Sequence, residues 1–335
     1  MGGNYQNVGV VAKKVHVGDV ARLPNQRSQP TLVSRMSARS RHLLRVGTAP
    51  LLLLAAGCSG TVVSASDAST TSTQALLSVD RTASAGDPVT SARAHASAYF
   101  LRMQAGADQN LAARLVGASN SLPPLGQCQP VEVLGEQGMP LASLGPVDLI
   151  DVGEVALEAS QTRATLAARA FPDVVDLVSG VVYTTRDLVA DPLPEQGVYA
   201  FKISGSPALA PMALEGRAPG PVDDLLVDGL PLTGQATALP RQNLFVTWKA
   251  QPGADLVYIE LASTEDGPLE RVRCSFPNEG HALIAASALP KASAQSIAIH
   301  LVHREGVAAP GLDSGEIRFD LATSGSLRFE APLSP

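Results

Sequence analysis

The chain has 335 residues, 45% of them hydrophobic and only 4% aromatic, so one large or two modest domains can bury a core of Val, Leu, Ile and Ala. Charge is divided along its length: residues 1–57 carry eight Lys or Arg and one acid, Asp19, and the remainder carries 17 basic and 30 acidic side chains. A body this acidic repels nucleic acid and anionic headgroups, which excludes a nucleic-acid partner.

Residues 1–35 are polar and lack an apolar period; they read as a disordered extension or a mis-assigned translation start before Met36. A basic run with Arg39, Arg41 and Arg45 follows, then an apolar run from Val46 to Gly57 centred on Leu51, Leu52, Leu53 and Leu54. Its 12 residues are too few to cross the hydrocarbon layer as a helix. Gly47 and Pro50 and the lack of a polar face argue against a core helix. Basic, then apolar, then small is the order of a bacterial secretory signal, here over residues 36–57.

The segment Leu54-Ala55-Ala56-Gly57-Cys58 resembles the lipobox of bacterial lipoproteins. The family usually has Leu three positions before the Cys; here Ala55 stands there, with Leu54 one step earlier. The resemblance implies a diacylglyceryl group on the Cys58 sulfur, cleavage before Cys58 and acylation of the new amino group. Two or three acyl chains give a stable anchor where one gives marginal binding. The membrane is thus the first expected partner, and the cell envelope, at its outer membrane, the expected location.

From Cys58 to residue 89 the chain is rich in Ser, Thr, Ala and Asp and reads as a flexible tether, with room for a short strand such as Gln74 to Val79. Beyond it the recurring signal is period-two alternation between turns. First-half strand candidates are Ala92 to Met103, Pro130 to Leu134, Val147 to Glu158, Arg163 to Ala170, Val181 to Thr184, Val198 to Ser204 and Met212 to Gly216. Gln109 to Val116 can form a helical turn. Ala218-Pro219-Gly220-Pro221 breaks any regular element and marks a domain boundary. In the second half, Leu244 to Ala250 and Leu256 to Ala262 read as a hairpin, with Trp248, the chain's one Trp, on its inner face. Arg271 to Phe276, Ala282 to Ala285, Ser296 to His303, Gly315 to Ala322 and Ser326 to Glu330 continue the series. The expectation is an all-β body of tandem immunoglobulin/fibronectin-like β-sandwiches over 90–217 and 218–335, or one larger sandwich.

The pattern Leu244-Phe245-Val246-Thr247-Trp248, Val272-Arg273-Cys274-Ser275-Phe276, Gly280 and Ala288-Leu289-Pro290 resembles uncharacterised secreted β-sandwich lipoproteins of myxobacteria-like organisms. That resemblance implies export and an all-β fold. It carries over no activity and no catalytic residue.

Cys128 and Cys274 remain beside Cys58, one in each half; outside the cytoplasm a disulfide between them and a buried free thiol at Cys274 both stay open. The body's four His are His95, His281, His300 and His303. Three residues apart on a strand, His300 and His303 point to opposite faces and make no simple ligand pair. Asp148, Asp151, Glu154, Asp173 and Asp176 lack a calcium-loop spacing. No metal site and no cofactor is expected. GxSxG, SxxK, HExxH and phosphate-binding glycine loops are missing from the sequence. The resulting expectation is an exported, lipid-anchored envelope protein, non-enzymatic, binding an envelope protein or glycan or playing a structural part. The alternative is a carbohydrate-active hydrolase using loop carboxylates.

Overall fold

The computed structural model describes residues 71–87, 91–119, 121–131, 145–174, 177–185, 196–265 and 269–330; Cys58, the signal and residues 1–35 lie outside them. The first segment holds β1 (Thr71–Ser84), β2 (Arg93–Gln104), a short helix α1 (Gln109–Leu115) and β3 (Gln127–Pro130). Next come β4 (Val147–Leu149), β5 (Val155–Ala159), β6 (Thr162–Val174), β7 (Val178–Thr184), β8 (Gly197–Ile203) and β9 (Met212–Ala218). Three short strands follow: β10 (Leu226–Val227), β11 (Leu230–Pro231) and β12 (Thr237–Pro240). The rest is β13 (Leu244–Thr247), β14 (Leu256–Ser263), β15 (Arg271–Pro277), β16 (His281–Ile284), β17 (Ala294–Gly306) and β18 (Ser314–Glu330).

One continuous sheet runs β15–β14–β17–β18–β1–β2 and on through β4 and β7. β6 folds it over by changing partners: Thr162 to Leu166 pair with β5, and Ala167 to Phe171 pair with β7. The folded-over strands β5, β8 and β9 cover one face of β1, β2 and the first half of β18. Between them lies a core in which Leu77, Val79, Phe100 and Phe319 meet Leu157, Tyr199, Phe201 and Leu214. The second layer of the other half is the sheet β11–β10–β13–β16. Its Leu244, Val246 and Ile284 meet Ile259, Leu261, Ile299 and Leu327 of the long sheet. With β13 beside β16, β14 flanked by β15 and β17, and β18 beyond, this half has strands B–E opposite C′–C–F–G, and β12 runs parallel to β18 along its edge. That is an immunoglobulin/fibronectin-type sandwich.

Three expectations change. The span expected as tether contains β1, a fourteen-residue strand in the middle of the sheet. Ala75, Leu77 and Val79 alternate inward, and the polar residues between them face chain rather than solvent, so polarity disguises a central strand. Leu244 to Thr247 and Leu256 to Ser263 do not pair with each other; they belong to different layers. Both strands fill the same core, so the turn between them crosses the sandwich instead of closing a hairpin. The chain leaves β9 at Ala218, yet the break at 218–221 does not separate two closed units. β18 gives Ile317 and Phe319 to the first core and Leu327 and Phe329 to the second.

The other face of the long sheet is crossed by residues 105–119 and 121–131. Asp108 caps α1 by accepting from the N–H groups of Asn110 and Leu111. The helix seats Leu111, Ala112 and Val116 on Leu101, Met103 and Val178. Further along, Arg318 donates to the carbonyl of Ala118 at 3.1 Å and Arg273 to that of Ser121 at 2.9 Å. Gly126 N–H then reaches the Ser275 carbonyl at 2.7 Å. Cys128 and Cys274 form a disulfide that fastens the strap to β15.

Trp248 sits just past β13, 4% exposed, with Nε1 donating to Asn278 at 3.0 Å. Trp248→Ala is expected to cost about 3–5 kcal/mol in denaturant titration. The wild-type emission should be blue-shifted and poorly quenched by iodide; red-shifted, readily quenched emission would contradict this placement. The disulfide spans 146 residues of sequence. Replacing both cysteines by Ser should lower stability by about 4–5 kcal/mol in the chain-entropy account, read from the same titration.

Candidate functional site

Under the strap, the outward residues of five strands converge. β1 and β18 run parallel with Asp80 opposite Asp320 and Ser78 opposite Arg318. β2 sets His95 opposite Asp80 and Ser97 opposite Ser78. β14 and β17 bring Tyr258 opposite His300 in the neighbouring row. These side chains point away from the core because each is one residue out of step with the buried series Leu77, Val79, Ala96, Ala98, Ile299, Phe319. They line a pocket of about 320 Å³ together with Thr82, Tyr99 and Gly117.

Two carboxylates directly across a strand pair repel each other, and such pairs destabilise a sheet. Here each has its own compensation. Asp320 accepts from His300 Nδ1 at 2.7 Å and from the Tyr258 hydroxyl at 2.7 Å. Burial works against its charge, but the hydrogen bond and charge of His300, then Tyr258 and Arg318, outweigh it and hold its pKa below the ordinary carboxylate value. Asp80 has less support: the Arg318 guanidinium lies 3.6 Å away and the Ser78 hydroxyl donates at 3.0 Å. Loss of water around Asp80 pushes its pKa up, against the pull of Arg318 and with the push of Asp320. The two carboxyls are therefore driven in opposite directions, a pattern typical of functional sites.

The surrounding groups are fixed. The His300 ring stacks on Tyr258 with centroids 4.1 Å apart and planes 14° from parallel. Burial and Asp320 raise the Tyr258 pKa, so its hydroxyl stays a donor. Asp320 accepts at His300 Nδ1, which leaves Nε2 as the ring nitrogen open to another partner. His95 Nε2 meets the Thr184 hydroxyl at 3.1 Å. Arg273 lies over the Tyr258 ring, 5.2 Å from its centroid, and shares Glu260 with Arg271 at 2.6 and 2.5 Å. Among the described residues, buried Arg318 Nε has no hydrogen-bond partner.

The other residues singled out in the sequence lie elsewhere. His303 is on the opposite side of β17 from His300, stacked on the core residue Phe319 and 3.4 Å from Asp255. His281 is exposed beside Phe245. The acidic stretch is dispersed: Asp148 is exposed, Glu154 pairs with Arg163 at 3.5 Å, and Asp151 accepts from Gly153 N–H and the Tyr183 hydroxyl. Those two bonds lower the Asp151 pKa; burial, with Asp151, pushes Tyr183 up to about 12. The side chains of Asp173 and Asp176 lie outside the described residues. Among the described residues no cluster of three or more His, Cys, Asp or Glu could hold a metal ion. Asp80 and Asp320 were not singled out in the sequence. Alternation places Asp320 with Arg318 on the outer face of the last strand, but its neighbour Asp80 comes from the segment read as tether.

No protein-family model and no curated protein matches the sequence. Among solved structures, the chain is similar to the crystal structure of chicken CNTN1 FN1–FN3 domains at 11% identity. The match covers 68% of this chain and 77% of that one, with a TM-score of 0.20. At that score the superposition carries no argument; the sandwich assignment rests on the strand order.

The opposed pKa shifts give opposite effects of neutralisation. With its pKa raised, Asp80 binds its proton more tightly in the folded chain, so its contribution to stability falls as pH rises through the carboxylate range. Asp80→Asn should therefore raise the thermal midpoint at neutral pH, a gain that fades in acid. Asp320, with its pKa lowered, contributes stability above its unfolded pKa that is lost as pH falls through the folded value. Asp320→Asn should cost stability at neutral pH and less in acid. Thermal scans of both variants against pH check this; a neutral-pH loss in Asp80→Asn would contradict the assignment.

Proposed function

We propose that this chain is an exported, lipid-anchored protein of the cell envelope, at its outer membrane, whose body is a non-enzymatic binding or structural module. The observation that carries the reading is the disulfide. The chain has three cysteines, and pairing Cys128 with Cys274 leaves Cys58, in its lipobox-like setting, as the remaining thiol. A structural disulfide suits an oxidising compartment outside the cytoplasm. Among the described residues no helix is long and apolar enough to cross a membrane. In this reading acyl chains on Cys58 supply the anchor.

The non-enzymatic part is supported by how the pocket's groups are used. Asp320 is held by His300 and Tyr258, and the Ser78 hydroxyl bonds both Asp80 and Ser97. These groups hold one another in a fixed arrangement, which suits recognition. Envelope proteins and glycans are the partner classes this reading admits.

Growth with an alkyne fatty acid should label the wild-type protein and place it in the membrane fraction. Cys58→Ala should abolish labelling and leave the protein unanchored. Equal labelling of the two would sink the anchor.

A further inference from the structure

We propose that the pocket beneath the strap binds a single neutral sugar ring. The proposal deepens the binding-module reading by naming the ligand class; it does not depend on the anchor.

Size is the first constraint. About 320 Å³ is at the small end of ligand pockets, enough for one ring and its substituents but not for an extended chain. Charge is the second. Asp80 and Asp320 stand side by side along one wall and repel an anion. Arg318, 3.6 Å from Asp80 on the same wall, presents the opposite charge, so an ion of either sign meets a like charge there, and among the described residues no ligand cluster offers a metal site. A neutral ligand is left.

Hydrogen-bonding capacity is the third. Arg318 Nε is a buried donor with no partner among the described residues, a costly condition that a ligand oxygen would relieve. The Asp80 carboxylate, with one Oδ2 contact from Ser78 and Arg318 at 3.6 Å, has accepting capacity to spare. His300 Nε2, the ring nitrogen that Asp320 does not engage, offers a further hydrogen-bonding position. Fixed acceptors and a fixed donor around one small space match a ligand whose groups both donate and accept, which is what hydroxyls do. The Tyr99 ring, also lining the pocket, offers an apolar surface for the C–H face of a sugar.

The arrangement also accounts for the placement of Asp80. A carboxylate whose ionisation is opposed by its surroundings weakens the fold, and a sugar hydroxyl donating to it would offset that cost. Binding should therefore stabilise the wild-type protein more than Asp80→Asn.

The test uses the full chain purified in detergent, with glucose, galactose and N-acetylglucosamine as probes and glucuronate and glucosamine as charged counterparts, read by saturation-transfer NMR and calorimetry. The expected result is saturable binding of at least one neutral sugar. Affinity should fall at least about tenfold, or 1.4 kcal/mol, in Asp80→Asn. The charged counterparts should bind correspondingly worse. His300→Gln, which keeps a polar side chain but loses the imidazole, should also weaken binding while the protein remains folded by circular dichroism. No binding of any neutral sugar, binding unchanged in both folded variants, or equal binding of the charged sugars would overturn the proposal. Failure leaves the Cys58 labelling result untouched. Conversely, turnover of a nitrophenyl glycoside that is lost in Asp80→Asn would sink the non-enzymatic reading while supporting the sugar site.

Discussion

Everything described here depends on the parallel pairing of β1 with β18. Gln74 to Ser84 lie against Ser314 to Ser324, so the start and end of the described body form adjacent strands in the middle of the long sheet. On one side of the pair β2 carries the sheet towards the first sandwich; on the other β17 carries it into the second. Without β1, the two strand sets would have no hydrogen-bonded connection at this point, and β18 would present an unpaired edge. Such an edge is a hazard that folded proteins cover. The pairing joins residues some 240 apart in sequence, as in the contact of Thr73 with Asp313, so its loop-closure cost is high and its formation is expected to be late in folding.

The same pairing creates the candidate site. Two strands from opposite ends of the chain each bring one Asp to the same row, and the like-charge contact is tolerated because Arg318, His300 and Tyr258 are ordered around it. The strap closes the arrangement from above. Its carbonyls at Ala118 and Ser121 take hydrogen bonds from Arg318 and Arg273, two arginines that also face the carboxylates Asp80 and Glu260. The disulfide then fixes the strap to β15. Fold, pocket and covalent staple are thus one connected structure rather than a site added to a finished scaffold.

The sequence made much of the fold legible. Alternation located β13 to β17 within a few residues, though it passed over β10 to β12 and read β18 as two strands, and the inward positions of Leu244, Val246 and Trp248 lie in the core. It failed where polarity and layer choice intervene. Apart from Leu76, the outward face of β1 is polar, and its Ser78 and Asp80 look solvent-facing until the strap and neighbouring strands are in place. Whether β13 and β14 form a hairpin or cross between layers is not encoded in alternation, because both arrangements bury the same residues. The site was illegible for the first of these reasons. A row of side chains from five strands has no sequence spacing to betray it, and its central Asp80 lay in the segment read as tether, just past the short strand allowed there. Absent motifs could argue against familiar chemistry but could not reveal a site assembled by pairing.

The central claim is tested most directly by hydrogen–deuterium exchange of the full chain followed by peptide mass spectrometry. Peptides spanning Gln74 to Thr82 should exchange as slowly as those of β17 and β18, because their amides lie in the centre of the sheet. Exchange of that segment within seconds, at the rate of an unstructured tether, would contradict the shared sheet and with it the site that the sheet assembles.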